Sequence, residues 1–271
     1  MLQKIEEGFW QKNRVSKVDS VLETASAIID DVRKDGDKAI KAYTEKFDKI
    51  KLKHLAVTRE EIEEAYEKVD PELVDELEVA AYNIQRFHEM QLPNDMWLTE
   101  VEPGITLGVK STPLERVGCY IPGGRASYPS TALMCVIPAR VAGVDEVICC
   151  TPGPINPATL VALDIAGVDE IYAIGGIQAI AGMALGTESI EPVQKIVGPG
   201  NVFVTAAKML LRDKVEIDFP AGPSEAGILA DDSCDPAFVA SDLVIHDQDS
   251  GGHGVVLCLC NEIRSNESGV A

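Results

Sequence analysis

Apolar and polar positions in the N-terminal part of the chain alternate with the spacing of helices. Apolar residues recur at every third or fourth position from Val18 to Val32, which predicts a one-sided helix that ends at Gly36. Asp37 then stands where it can cap a second, shorter helix. A capping box at 58–61 and the pair Asp70-Pro71 predict two further helices. Their outer faces are acidic, so we expect all four to be packing elements without chemistry.

The pattern changes after residue 95. Two short apolar runs around Pro103-Gly104 predict a β-hairpin. From 116 to about 223, apolar strands alternate with helical stretches, and Ala142-Gly-Val-Asp-Glu-Val-Ile148 returns as Ala166-Gly-Val-Asp-Glu-Ile-Tyr172. Repeated helix, turn and fully apolar strand is typical of parallel βαβ units. The predicted fold class is therefore α/β, with parallel doubly wound (incomplete Rossmann-like) sheets and an N-terminal helical segment.

Ligands of such sheets bind at the carboxyl ends of the strands, and these ends share a composition here. Every predicted strand exit is rich in glycine or proline, and most carry one polar side chain. The exits are Tyr120-Ile-Pro-Gly-Gly124, Thr151-Pro-Gly153, Gly175-Gly-Ile-Gln178, Gly198-Pro-Gly-Asn201 and Phe219-Pro-Ala-Gly-Pro-Ser-Glu225. Each polar residue alone could simply cap a turn. Four of them at one edge, namely Tyr120, Gln178, Asn201 and Ser224, favour a binding site in which backbone N–H groups hold an anion.

Composition narrows the function classes. The chain of 271 residues is 46% hydrophobic and 25% charged, as in soluble globular proteins, and its formal net charge is −20. This acidity argues against nucleic acid or an anionic membrane surface as the main partner. There is no apolar run of membrane-spanning length and no signal-like core at 1–17, so we expect a cytoplasmic protein. The seven cysteines have no metal or disulfide spacing, which favours buried free thiols.

These residues together resemble the histidinol dehydrogenase family. The resemblance covers about residues 18 to 243 in the family's order and spacing. It rests on Asp31-Val-Arg-Lys-Asp-Gly-Asp37, Arg116 to Gly124, Pro138-Ala-Arg-Val-Ala-Gly143, Gly175-Gly-Ile-Gln-Ala-Ile180, Gly198-Pro-Gly-Asn-Val-Phe-Val-Thr205 and Asp218-Phe-Pro-Ala-Gly-Pro-Ser-Glu225. It implies an oxidoreductase that converts L-histidinol to L-histidine in the final step of histidine biosynthesis, with two NAD used in turn. It also implies a zinc ion and a homodimer.

Individual roles follow from the same resemblance. Tyr120, Gln178 and Asn201 match the family's NAD-contacting residues, and Ser224 matches a substrate-contacting serine. A neutral, glycine-lined site suits a dinucleotide, because N–H groups can hold its pyrophosphate without basic side chains.

The expected zinc ligands match less well. The family carries Gln-x-x-His after Ser-Asp-Leu, whereas this chain reads Ser241-Asp-Leu-Val-Ile-His-Asp-Gln-Asp-Ser250. Without a gap, His246 falls on the glutamine and Asp249 on the histidine, which keeps two metal ligands. With a three-residue deletion, His246 takes the place of the ligand histidine and the glutamine is lost. His246, as metal ligand and substrate contact, and Asp249, as metal ligand, are the candidates.

The resemblance also sets expectations for the catalytic residues and for the domain organisation. It implies that the family's acid–base Glu-His pair and further zinc ligands belong to a C-terminal third that this sequence lacks, so no catalytic residue is assigned. It implies that 120–223 form a contiguous α/β NAD-binding unit, while 1–119 pack with 224–271 as a second, truncated α/β unit. Two hypotheses therefore stand: an NAD- and zinc-dependent histidinol dehydrogenase, or a catalytically inactive truncated homologue that retains only NAD binding or dimerisation.

Overall fold

The first α-helix that the structure describes contains the predicted break. The structure is a computed structural model that describes residues 18–123, 127–219, 226–230, 234–241 and 256–260. Helix α1 (Leu22–Asp48) is interrupted at Gly36, where φ is 51° and ψ is −131°. A positive φ suits glycine, so the predicted helix end at Gly36 is confirmed. The predicted cap is wrong: the Asp37 carboxylate accepts hydrogen bonds from Ser189, and Glu188 accepts the Asp37 N–H.

The next two helices begin as their sequences predict. In front of α2 (Arg59–Lys68), Thr58 Oγ1 accepts the Glu61 N–H at 3.3 Å and the Glu61 carboxylate accepts the Thr58 N–H at 2.8 Å. Helix α3 (Pro71–Glu89) starts with its proline, and Asp70 accepts the Glu72 N–H at 3.0 Å. Both helix starts are confirmed, because the capping groups lie within a few residues of the N–H groups that they satisfy.

The predicted hairpin also forms. Strands β1 (Met96–Glu102) and β2 (Ile105–Lys110) pair antiparallel around Pro103-Gly104, and Gly104 has a φ of 83°. Every residue of both strands is exposed.

Five parallel strands form the central sheet. They are β3 (Arg116–Tyr120), β4 (Glu146–Cys150), β5 (Glu170–Tyr172), β6 (Lys195–Val197) and β7 (Glu216–Ile217). Their spatial order is β5-β4-β3-β6-β7, and each neighbouring pair is parallel. The chain thus builds outward from β3 in one direction and then returns to build from β6 in the other. This is doubly wound topology, as predicted, with its switch point between β3 and β6.

Helices cover both faces of this sheet. The connecting helices are α4 (Pro129–Val141), α5 (Pro157–Ile165), α6 (Gly176–Leu185) and α7 (Val202–Leu210). One apolar core contains residues of α1, α6 and α7, and the other contains residues of α2 to α5. Alternate strand residues enter opposite cores: Cys119 joins the α2–α5 side and Tyr120 the α1–α6–α7 side. The sheet is therefore buried on both sides, which explains its continuous apolar strands.

The internal repeat corresponds to two equivalent turns. Gly143 and Gly167 both have a φ of 82°, and they follow α4 and α5 and precede β4 and β5. Each copy closes a helix with a left-handed glycine and enters the sheet, as predicted.

Helix α1 runs antiparallel to α6. A β-carbon built at Gly36 would lie 2.3 Å from the Glu188 carboxylate, and one built at Gly182 would lie 3.0 Å from Ile40 Cδ1. Moving along α1 from residue 36 to 40 thus moves back along the chain from 188 to 182. The C-terminal end of α1, at Asp48, is therefore directed toward the first turn of α6.

Five cysteines are free thiols. Cys119, Cys149 and Cys150 are buried, and burial raises the pKa of each thiol. Cys135 is partly buried, whereas Cys234 is exposed, so the prediction of burial is wrong there. Among the described helices, none combines the length and the apolar character that crossing a lipid bilayer requires.

The described residues after 225 belong to a separate unit. Strands β8 (Ala226–Ala230) and β9 (Val256–Cys260) pair in parallel, in register Ala226↔Val256 to Ala230↔Cys260. Residues 17–220 form the other compact unit. The division into 120–223 and a joint 1–119/224–271 unit remains a prediction.

Candidate functional site

The strand exits meet at the carboxyl edge of the sheet. After β3 the chain runs through Ile121-Pro122-Gly123, and after β4 through Thr151-Pro152-Gly153. These turns touch one another: a β-carbon at Gly123 would lie 3.2 Å from Pro152 Cγ, and one at Gly175 would lie 2.7 Å from Pro152 Cβ. Three of the predicted exits therefore form one continuous surface of small residues.

Tyr120 connects two of these exits through its hydroxyl group. It is the last residue of β3, is 3% exposed, and its hydroxyl oxygen accepts the Gly176 N–H at 3.0 Å. Burial raises the pKa of Tyr120 to about 12, although the hydrogen bond from Gly176 acts in the opposite direction. The phenol is thus neutral at physiological pH, and it holds the first turn of α6 against the end of β3.

Gln178 leaves a hydrogen-bond acceptor without a partner. It lies in the first turn of α6 and is 2% exposed, and its Oε1 atom has no hydrogen-bond partner among the residues that the structure describes. Gly176 makes room for it, because its φ is 67° and a β-carbon there would lie 3.1 Å from Gln178 Oε1. An unsatisfied buried amide oxygen costs about 1–3 kcal/mol, so it is expected where a ligand supplies the missing donor.

Asn201 has a structural role in the protein on its own. Its Oδ1 accepts the N–H groups of Phe203 at 3.0 Å and Val204 at 3.2 Å, which caps α7. Asn201 thus has the turn-capping role that each polar exit residue could also have. The cap fixes the exposed side chain at the edge of the sheet, so its amide nitrogen is the group that can contact a ligand.

Gly198 marks the closest backbone approach, at the switch point between β3 and β6. Its φ is 114°, and a β-carbon there would lie 2.1 Å from the Tyr120 carbonyl oxygen. Only glycine fits between two strand ends that approach this closely.

A buried ion pair fixes the same loop. The sequence pattern does not predict it. Lys208 is 4% exposed, and its Nζ donates to Asp218 Oδ1 at 2.7 Å and to the Gly198 carbonyl oxygen at 2.5 Å. Asp218 Oδ2 accepts the Gly198 N–H at 2.7 Å. In the sequence, the ion pair is indicated only by the position of Lys208 within the largely apolar helix α7. Its charge is neutralised by Asp218, so it stabilises the loop rather than attracting an anion.

The other predicted site residues lie outside the described residues. These are Ser224, His246 and Asp249, together with the zinc site assigned to the last two. Among the residues that are described, no group of three or more His, Cys, Asp or Glu side chains is placed to hold a metal ion.

A cavity of about 390 Å³ lies elsewhere, between α3, α4 and the end of α5. Ala81, Leu92, Ile137 and Arg140 are among its lining residues, and the exit residues Tyr120, Gln178 and Asn201 are not. The candidate site is therefore an edge formed by turns and not this cavity.

The residues at the carboxyl edge fit a dinucleotide. The glycine turns bring the strand exits close together, and the N-terminus of α6 favours an anion. Among the described residues, Gln178 Oε1 lacks a donor, which a ribose or an amide could supply. Tyr120, Gln178 and the Gly198–Asn201 loop lie along this edge.

Comparisons with known proteins identify the family to which the chain is similar. The sequence model described as histidinol dehydrogenase matches residues 11–263. The histidinol dehydrogenase of Methanosarcina barkeri is 54% identical over 258 residues, which cover 92% of this chain and 60% of that protein. The enzyme of Methanocaldococcus jannaschii is 44% identical over 97% of this chain and 62% of its own length.

A solved structure of a histidinol dehydrogenase is also similar to this chain. The crystal structure of histidinol dehydrogenase from Elizabethkingia anophelis superposes with a TM-score of 0.83 at 38% identity. The superposition covers 97% of this chain and 58% of that one. The chain thus spans about three fifths of the length of these relatives.

Proposed function

Because the chain belongs to the histidinol dehydrogenase family, we propose that it takes part in the NAD-dependent oxidation of L-histidinol to L-histidine, the final step of histidine biosynthesis. The carboxyl edge of the central sheet is the proposed NAD site. Gln178 carries the proposal: it is almost fully buried, it lies at the first turn of a helix, and its Oε1 is unpaired.

The other edge residues have distinct tasks in this proposal. Tyr120 holds Gly176 in place through the 3.0 Å hydrogen bond, so the first turn of α6 is ordered before the cofactor binds. Gly198 lets the ends of β3 and β6 approach each other closely, and Asn201 presents its amide nitrogen from a capped helix. NAD, when bound, accepts the hydride that leaves the substrate.

Further parts of the proposal rest on family membership. They are a zinc ion, substrate contact by Ser224 and His246, metal ligation by His246 and Asp249, a homodimer, and a cytoplasmic location. The described residues contain no group of three or more His, Cys, Asp or Glu side chains that could hold that metal.

Two measurements on the purified full chain test this function. Titration of the chain with NAD by isothermal calorimetry should show saturable binding with one NAD per chain. Addition of L-histidinol and zinc should then produce NADH, measured by its absorbance. NAD binding without NADH would leave the second hypothesis, a homologue that binds the cofactor but does not catalyse. A folded chain that does not bind NAD would contradict both readings that include NAD binding, and would leave only a dimerisation role.

A further inference from the structure

Gly198 is held on both of its backbone groups by one ion pair. Its N–H donates to Asp218 Oδ2 at 2.7 Å, and its carbonyl oxygen accepts from Lys208 Nζ at 2.5 Å. Lys208 Nζ also donates to Asp218 Oδ1 at 2.7 Å, so the pair and the glycine form a closed set of three contacts. Glycine adopts positive φ as readily as negative φ, and the φ of Gly198 is 114°. The two hydrogen bonds therefore fix a residue whose own backbone is permissive.

The elements that meet at this pair determine the path of the loop between β6 and α7. Lys208 lies on α7, two turns after Asn201, which caps the start of the same helix. Asp218 directly follows β7, and its own N–H donates to the Ile196 carbonyl oxygen of β6 at 3.2 Å. The Gly198 end of the loop is thus tied to β7 and α7, so the pair sets where Asn201 lies relative to the sheet.

Stability alone does not require charges at this place. Lys208 is 4% exposed, and its neighbours on α7, Val204, Ala207 and Leu211, are buried in the apolar core. Replacing a buried ion pair with apolar side chains of similar size is often neutral or stabilising, because two charges must otherwise be removed from water. An apolar pair could therefore hold α7 against the sheet. It would offer no donor to the Gly198 carbonyl oxygen and no acceptor to its N–H.

We propose that Lys208 and Asp218 are positioning residues, which hold the Gly198–Asn201 loop in the conformation that binds NAD. This inference rests on the proposed NAD site. Both residues act through Gly198: they preset the peptide groups on either side of it, so that the loop does not have to be ordered when the cofactor binds. Loss of these hydrogen bonds weakens NAD binding even where the fold is as stable as before.

The test compares two double variants of the full chain, both without the charges. Lys208→Met with Asp218→Leu, the apolar variant, also removes the hydrogen bonds, whereas Lys208→Gln with Asp218→Asn, the polar variant, keeps a donor and an acceptor for Gly198. In urea unfolding, the apolar variant should have a midpoint at or above that of the unaltered protein. In titration calorimetry, its NAD dissociation constant should rise about tenfold or more, and that of the polar variant should stay within about threefold of the original value.

The amino edge of the sheet offers a matched control. There Arg140 pairs with Asp169 and donates to the Gly167 carbonyl oxygen at 2.7 Å, and Asp169 Oδ2 accepts the Val147 N–H at 2.7 Å. This pair also holds backbone groups of turns, but at the opposite edge from the strand exits. Arg140→Met with Asp169→Leu should leave the NAD dissociation constant unchanged, whatever its effect on the urea midpoint.

The outcomes separate this inference from the proposed function. An apolar variant that binds NAD as tightly as the unaltered protein would overturn the positioning role. A lowered urea midpoint of the apolar variant would overturn it too, because the charges would then serve the fold itself. Equal weakening in the polar variant would show that the charges, and not the hydrogen bonds to Gly198, support binding. If the unaltered protein did not bind NAD, the proposed function itself would fail.

Discussion

Two glutamines lie at opposite edges of the same sheet and differ in how they are satisfied. At the amino edge, Gln194 Oε1 accepts the N–H groups of Glu115 at 2.6 Å and Arg116 at 3.3 Å. At the carboxyl edge, Gln178 Oε1 accepts no hydrogen bond from the described part of the chain. Both side chains have the same chemistry, so the difference comes from their surroundings. One fixes the start of β3, and the other is left available.

The contrast extends to the charges at each edge. At the amino edge, Arg116 pairs with Glu146 and with Glu170, the latter at 2.9 Å, although its Nε has no partner. Arg140 also pairs with Asp169, which ties the turns before β4 and β5 together. At the carboxyl edge, Lys208 and Asp218 are paired, but Gln178 and Asp48 hold unpaired oxygens. The amino edge is therefore expected to carry stability, and the carboxyl edge to combine stability with binding.

The largest expected effect is that of Gly198→Ala. The new methyl group would meet the Tyr120 carbonyl oxygen at 2.1 Å and would force alanine into a φ of 114°. We expect the free energy of unfolding to fall by about 3 kcal/mol or more, and NAD binding to be lost with the switch-point geometry. Urea unfolding and NAD titration measure both.

Gly104→Ala is the control for backbone strain alone. Gly104 also has a positive φ, 83°, but a β-carbon there would have nothing within 4 Å. The expected loss is about 1 kcal/mol, with NAD affinity unchanged. Equal losses for the two variants would show that the close approach of β3 and β6 is not what constrains Gly198.

Arg116→Met tests the amino edge. It leaves Glu146 and Glu170 without their common partner, and both carboxylates are partly exposed, so water compensates in part. We expect a loss of about 1–3 kcal/mol in unfolding free energy and an NAD dissociation constant within about twofold of the original value. A large change in NAD affinity with stability preserved would contradict the division between the edges.

Gln178→Met and Gln194→Met form a matched pair. The first removes an unpaired oxygen, so stability should stay within about 1 kcal/mol while NAD affinity falls about tenfold. The second leaves two backbone N–H groups without their acceptor, so stability should fall by about 1–2 kcal/mol while NAD affinity is preserved. If Gln194→Met weakened NAD binding and Gln178→Met did not, the cofactor would bind at the amino edge.

The smallest effect is the pH dependence of stability at Asp48. Burial raises the folded-state pKa of this carboxyl, so the folded state binds more protons than the unfolded state between about pH 4 and that raised value. Stability is therefore lost as pH rises through this window. Asp48→Asn should unfold at higher urea concentration than the original protein at pH 7, and the advantage should shrink as the pH falls toward 4. An advantage that is constant with pH would mean that ionisation of Asp48 is not its cause.

Local features of the fold were predictable from the sequence. The break at Gly36, the capping box at Thr58, the Pro103-Gly104 hairpin and the two glycine turns of the repeat depend on neighbours within a few positions. Parallel strands followed from fully apolar runs, because a sheet covered on both faces needs no polar alternation.

Features that depend on tertiary packing were not predictable. Asp37 is a residue type that often caps helices, but here it forms hydrogen bonds with Glu188 and Ser189, which lie 151 and 152 positions away in the sequence. Lysine is usually exposed at the surface, but Lys208 is buried here because Asp218 lies beside it in the fold. For the same reason the helical pattern of α1 could not predict that the Asp48 carboxyl at its end is partly buried.

Hydrogen–deuterium exchange of the full chain, with and without saturating NAD, tests the central claim most directly. Bound NAD should slow amide exchange in peptides that cover 120–123, 175–178 and 198–201, and should leave peptides that begin β3 and β4 at Arg116 and Glu146 unchanged. Protection confined to the amino edge, or saturated binding without protection at the strand exits, would contradict the assignment of the carboxyl edge as the NAD site.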